Sequence, residues 1–396
     1  MKLLRALGPS LALVTSLVVA CVGDDPAPAR TVDASVPPAV DGATPPDGAV
    51  VPPGDSGADT SVAPECTTGA TECVGNKPRA CLDGRWQAPT ACTDDKPICV
   101  GGACATPPSC GALLGNCGTS NPQNCCNSPI AEGGTFNRYN KPAFPATVSS
   151  FRLDRYEVTV ARFRAFVAAG QGTQANPPKV GSGSHPKVTG TGWQAAFNAS
   201  LMATAADLTS ALTSCGGFAN ATYAPASDLT SNKKPINCVS WLEAQAFCIW
   251  DGGRLPSVAE IELATRGGAQ QRAFPWGTDP LDAAHLFYCA SNANACVAPD
   301  GGSILDVGSK PLGAGRWGHL DLFGSMRDYG LDIYTPMPAA CVDCVQTDTG
   351  AATTRAAVGG SWADGSSTWP SIFNASPTTS VNPRTPAGGF RCAHDL

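Results

Sequence analysis

Pro235-Ile-Asn-Cys-Val-Ser-Trp241 and, nine residues on, Trp250-Asp-Gly-Gly-Arg-Leu-Pro256 are the most specific stretch of this 396-residue chain. Between them Val239, Ala244, Phe247 and Cys248 recur on one face, so a helix is expected over Ser240–Trp250. After Pro256, Ser257 stands three residues before Glu260, the pattern of a capping box that opens a further helix. Upstream, the segment from Phe151 to Val160 alternates and is rich in strand formers, then Ala161–Ala169 turns to helical spacing. Long stretches rich in Gly, Pro and Asn lie between these elements. The expected order is mixed α and β with much irregular backbone.

The large domain that holds these elements is expected over residues 108–396, long enough for a substantial core. Ahead of it, residues 66–107 hold six cysteines in a duplication: Cys66, Cys73-Val74-Gly75 and Cys81, then Cys92, Cys99-Val100-Gly101 and Cys104. A segment of about 40 residues is too small for a self-sufficient core, so disulfides rather than zinc are expected there. It has no Cys-x2-Cys pair and no histidine. Residues 22–64 are almost entirely Pro, Ala, Gly, Val, Asp, Ser and Thr with no aromatic residue, and read as a solvated tether. As a flexible coil it would reach roughly 35–40 Å.

At the start, Lys2 and Arg5 precede an apolar run from Leu11 to Ala20 and then Cys21. This reads as a signal peptide over residues 1–20, with Cys21 resembling the lipidated cysteine of a bacterial lipobox. The expected product is exported and anchored by lipid to the bacterial cell envelope, at the periplasmic or outer face. Its tether and linker span residues 21–65. Setting Cys21 aside leaves 18 of 19 cysteines, an even number that suits disulfides throughout. The charge of −6 and pI near 5.2 argue against nucleic acid as a partner, which calls for a concentrated basic face.

Four blocks in order resemble the formylglycine-generating enzyme (sulfatase-modifying factor) family. They are Gly133-Gly-Thr-Phe136 with Tyr156-Glu-Val-Thr159; the central stretch with Ala264-Thr-Arg-Gly-Gly268 and Phe274-Pro-Trp-Gly277; Gly318-His-Leu-Asp-Leu-Phe-Gly324 with Asp328; and Gly359-Gly-Ser-Trp362 with Gly389-Phe-Arg-Cys392. The resemblance implies that family's loop-rich α/β (mixed α+β) fold, related to C-type lectins and here stapled by disulfides. In the family's oxidases two cysteines follow the Gly-Gly-Ser, at the third and eighth positions after the serine, and bind copper. Here those positions are Asp364 and Trp369, which cannot make a two-thiolate copper site, so copper is not expected.

Several further expectations follow from the resemblance. Cys248 bridges Cys392. A structural calcium is held by the side chains of Asp321 and Asp328 with the carbonyls of Gly324 and Met326. Trp362, Asp364 and Trp369 line the groove that active relatives use for substrate. The remaining cysteines suggest Cys215–Cys238, Cys289–Cys296 and Cys341–Cys344, with Cys110, Cys117, Cys125 and Cys126 sharing two bridges. Histidines 185, 285, 319 and 394 show no paired metal-ligand spacing. The leading functional expectation is a non-catalytic binding or structural module on the envelope, with a protein or glycan ligand. The alternative is an oxidase that modifies exported proteins through a non-standard metal site, with Asp364 and a histidine folded beside it.

Overall fold

Ser240 and Ser257 each begin a helix by accepting a hydrogen bond from the third residue on, while Glu243 and Glu260 reach back to the serine N–H. The computed structural model describes residues 63–111, 115–120, 122–225, 227–288, 304–336, 338–347, 354–364, 376–377 and 383–396. Its α-helices are α1 (Val160–Ala168), α2 (Ala205–Ser214), α3 (Trp241–Trp250) and α4 (Val258–Arg266). Every residue of α3 from Trp241 to Cys248 is buried, so the helix is enclosed on all sides rather than amphipathic. Phe247 stacks on Phe163 of α1 at 5.5 Å between ring centroids and meets Phe390 edge-on at 5.4 Å. The helix thereby ties α1 to the C-terminal strand region.

Helix α2 was not among the sequence expectations. Thr204 and Asp207 form its capping box, with the shorter Asp in place of Glu or Gln. The strand expected from Phe151 to Val160 is only Phe151–Leu153. Beyond it the chain stays hydrogen-bonded but leaves the ladder: Asp154 N–H donates to Cys392 O at 2.9 Å and Val158 N–H to Phe390 O at 2.9 Å. The Asp154 carboxylate is drawn into a buried ion pair with Arg162 at 2.8 Å, and Thr159 becomes the cap of α1.

Four short strands make the largest sheet, in the order Ser376–Pro377, Arg355–Val358, Arg327–Ile333 and Gly388–Gly389, the last pairing parallel. A second sheet orders Cys341–Val342, Pro145–Val148 and Gly134–Asn137, and a third orders Ala393–His394, Phe151–Leu153 and Ile130–Ala131. The Gly252-Gly253 pair follows from this packing. Gly252 has φ +87°, and a Cβ on Gly253 would lie 2.4 Å from Ala393 O.

Disulfides hold the loops. Cys248 pairs with Cys392 across 144 residues, Cys215 with Cys238, and Cys341 with Cys344. Cys110 pairs with Cys126 and Cys117 with Cys125. In the duplicated segment the bridges respect the repeat: Cys66–Cys81 and Cys92–Cys104 close each copy, and Cys73–Cys99 joins the two middle cysteines. Cys21, Cys289, Cys296 and Trp369 lie outside the described residues.

The chain from Val62 to Leu396 is one compact unit, so the cysteine-rich segment packs on the larger domain rather than hanging from it. Arg152 donates to Asp94 Oδ1 at 2.6 Å and to the Cys92 carbonyl, and Ser128 N–H donates to Asp94 O at 2.9 Å. Ser109 donates from N–H and Oγ to the Asp251 carboxylate at 2.8 and 2.9 Å. Arg162 joins the same carboxylate at 2.6 Å.

Candidate functional site

The Gly-Gly-Ser loop leaves the central sheet where Arg355–Val358 ends, turning at Gly359 with φ +80°. Ser361 is fully buried. Both its N–H (2.8 Å) and its Oγ (2.7 Å) donate to Asp364 Oδ2. Arg327 donates to the same carboxylate through Nη2 at 2.5 Å and Nε at 3.2 Å. Asp364 is therefore a bonded anchor of its own loop. Half-buried Trp362 donates from Nε1 to Pro386 O at 2.9 Å and from its N–H to Ser325 O at 2.8 Å. The structure thus brings Trp362 and Asp364 together and adds Arg327, which the sequence reading did not single out.

Ser325 belongs to the acidic loop, so this contact joins the two candidate regions. There Asp321 and Ser325 both adopt positive φ, at 55° and 27°, folding the loop tightly between Asp321 and Asp328. Arg391 lies beneath it, with Nε donating to Asp328 Oδ2 at 2.6 Å, Nη2 to Asp321 O at 2.7 Å and Nη1 to Leu320 O at 2.9 Å. A third acid joins them: Glu157 Oε1 accepts the Met326 N–H at 2.8 Å. Asp321 Oδ2 accepts from Gly308 N–H at 2.6 Å.

Burial, then the charges of Asp321 and Asp328, hold the Glu157 carboxyl well above its ordinary range. Burial also pushes Asp321 up to about 6 and raises Asp328. Three carboxyls thus surround one guanidinium, and Glu157 Oε2 and Asp328 Oδ1 are buried with no hydrogen-bond partner. Excess negative charge with two unsatisfied hard oxygens fits a cation of the calcium type. Among the described residues no three His, Cys, Asp or Glu side chains are placed to hold a metal alone, so such an ion would need backbone carbonyls as well. Glu157 was visible only as part of a quoted block. Its nearness to residues 321–328 is a tertiary fact that no local pattern carries.

Three of the four histidines are engaged elsewhere. His185 Nε2 lies 3.5 Å from Glu260, and His394 Nε2 lies 3.5 Å from Asp154. His285 stacks on Trp276 at 4.9 Å and contacts Asp282 at 2.7 Å. His319 is fully buried, and desolvation presses its pKa down to about 3, so it is neutral. Every described cysteine is in a disulfide.

Fold and site together define a disulfide-stapled α+β domain in which a buried acidic loop abuts an ion-paired Gly-Gly-Ser loop. Residues 118–396 match the sulfatase-modifying factor enzyme 1-like domain, and the chain belongs to that family. A formylglycine-generating enzyme of Thermomonospora curvata is 28% identical over 306 residues, covering 69% of this chain and 95% of that protein. Another, from Streptomyces coelicolor, is 32% identical over 268 residues, covering 64% of this chain and 81% of its own. The Mus musculus protein named inactive C-alpha-formylglycine-generating enzyme 2 is 30% identical over 102 residues, covering 26% of this chain and 33% of its own.

Proposed function

We propose that this chain is a non-catalytic binding or structural member of its family, anchored to a bacterial envelope through a lipid on Cys21. The observation that carries the reading is the state of Asp364. It stands at the first of the two positions where the family's oxidases carry their copper-binding cysteines. Its carboxylate is occupied by Arg327 and by the N–H and Oγ of Ser361. A carboxylate neutralised in this way is a poor ligand for a redox metal, and the soft Cu(I) ion in particular favours sulfur. Trp369, at the second position, has an indole that offers no lone pair to a metal.

The resident ion on this reading is calcium, held by Asp321 and Asp328 with the carbonyls of Gly324 and Met326, and with Glu157 adding charge beside them. Its role is to hold the acidic loop, and through the Ser325–Trp362 contact the Gly-Gly-Ser loop, in one conformation. The surface around Trp362 is the binding face, for a protein or glycan ligand rather than nucleic acid. The oxidase alternative requires a histidine beside Asp364, and each histidine has another partner or place in the fold. Metal analysis of the purified protein, with an oxygen-consumption assay on a cysteine peptide, tests the proposal. Calcium without copper or iron and no oxygen uptake is the expected result. Stoichiometric copper or iron with turnover overturns it.

A further inference from the structure

Cys341 and Cys344 form the only bridge among the described residues whose two ends stand three positions apart. Cross-links stabilise chiefly by restricting the unfolded chain, and the gain shrinks with the loop enclosed. So short a ring restricts the unfolded chain far less than the 144-residue loop of Cys248–Cys392 does, and stability is a weaker reason for the bond. Its surroundings differ from those of the staple at the core: Cys248 and Cys392 are fully buried, whereas Cys341 and Cys344 are both partly exposed. The side chain between them, Val342, is 71% exposed. Among the described residues the strand Cys341–Val342 is also the edge strand of its sheet.

The two sulfurs are held in place without their bond. Cys341 and Val342 pair in parallel with Ala146 and Thr147. The Asp343 N–H donates to Thr147 O at 2.8 Å, and its carboxylate accepts from Ser149 N–H at 2.6 Å and Ser149 Oγ at 2.8 Å. Beyond Cys344, Gln346 N–H donates to Asp332 Oδ1 at 2.8 Å. None of these bonds is made by either sulfur. A pair of cysteines that is partly exposed, adds less to stability than the core staple and is fixed by its backbone is organised to open and close reversibly.

We infer that Cys341–Cys344 is a thiol–disulfide exchange site that takes the dithiol of an exported protein as co-reactant. A thiolate of that dithiol attacks one Sγ, the S–S bond breaks, and a mixed disulfide forms while the other Sγ leaves as a thiolate and takes up a proton. The partner's second thiol, losing its proton, displaces the first Sγ. The partner ends as a disulfide, and Cys341 and Cys344 end as thiols, with two electrons and two protons transferred. The reverse course reduces a partner disulfide. The inference is independent of the reading of the Gly-Gly-Ser loop and stands whether or not that loop is catalytic.

Folded protein exposed to dithiothreitol as the probe dithiol, quenched with an alkylating agent at intervals and mapped by mass spectrometry, tests the inference. Cys341 and Cys344 should become alkylated at least tenfold faster than Cys248 and Cys392, with the circular dichroism retained and the melting temperature lowered by no more than about 2 °C. Oxidised dithiothreitol should restore the bridge. In oxidised glutathione, Cys344→Ser should take up one glutathione at Cys341. Equal rates at the two bridges, or loss of fold in step with opening of Cys341–Cys344, overturns the inference. If Cys344→Ser does not fold, the rate comparison on the unaltered protein decides alone.

Discussion

Replacing both Cys248 and Cys392 by alanine removes the cross-link between α3 and the C-terminal strand region. The bridge encloses 144 residues. In the chain-entropy treatment such a loop costs the unfolded state about 17 cal/mol/K, or about 5 kcal/mol at 25 °C. The compact unit from Val62 to Leu396 unfolds with an entropy of about 0.7 kcal/mol/K, taken at about 2.1 cal/mol/K per residue. The variant should therefore melt about 7 °C lower, and the packing lost around two fully buried sulfurs adds to that fall. The control is Cys341→Ala with Cys344→Ala, whose bridge spans three residues and is worth about 1.6 kcal/mol, a fall of about 2 °C. Differential scanning calorimetry of the three proteins in the same buffer gives the comparison. A fall no larger for the Cys248/Cys392 variant than for the control refutes the argument that loop length sets the value of these staples.

Chelation should lower the melting temperature by about 4 °C if calcium is present at about a hundred times its dissociation constant, and Asp321→Ala should remove that response. A melting curve that chelator leaves unmoved sinks the calcium proposal. Burial pushes Glu262 up to about 7, from an ordinary 4.5. The native state therefore holds a proton that the unfolded chain releases, and stability falls as pH rises from about 4.5 through 7. Glu262→Gln should lose that slope whatever its absolute stability; an unchanged slope in urea titrations at pH 5 and 8 counts against it. Arg162→Met strands the buried Asp154 and Asp251 carboxylates and should cost about 3–5 kcal/mol; a change below about 1 kcal/mol in urea unfolding contradicts their pairing. Arg327→Ala breaks a partly exposed pair with Asp364 and should cost less than about 1 kcal/mol by the same assay, so a loss above about 3 kcal/mol would reveal a deeper role.

Helices α3 and α4 were legible because their starts are written locally, as Ser240 with Glu243 and Ser257 with Glu260. Helix α2 uses the same device with Asp207, a weaker signal set in a stretch that otherwise reads as loop. The strand reading past Leu153 failed because Asp154 and Thr159, acceptable in an alternating pattern, are taken by a buried ion pair and a helix cap. At the site, the resemblance placed Trp362, Asp364 and the acidic loop. It gave no hint that Arg327 holds Asp364 or that Glu157 faces Met326, since those partners stand 37 and 169 residues apart. Buried charge acquires its partners through the whole fold, and local spacing is blind to them.

The pairing within the duplicated segment bears on how this chain acquires its bridges. Its cysteines emerge in the order 66, 73, 81, 92, 99, 104, and none of the three native bridges joins neighbours in that order. Oxidation of each thiol with the one before it would trap wrong partners, and Cys248 must wait for Cys392 near the very end. Cells that make this protein consequently need reshuffling of bridges as well as their formation, and yield should track isomerase capacity more closely than oxidant supply.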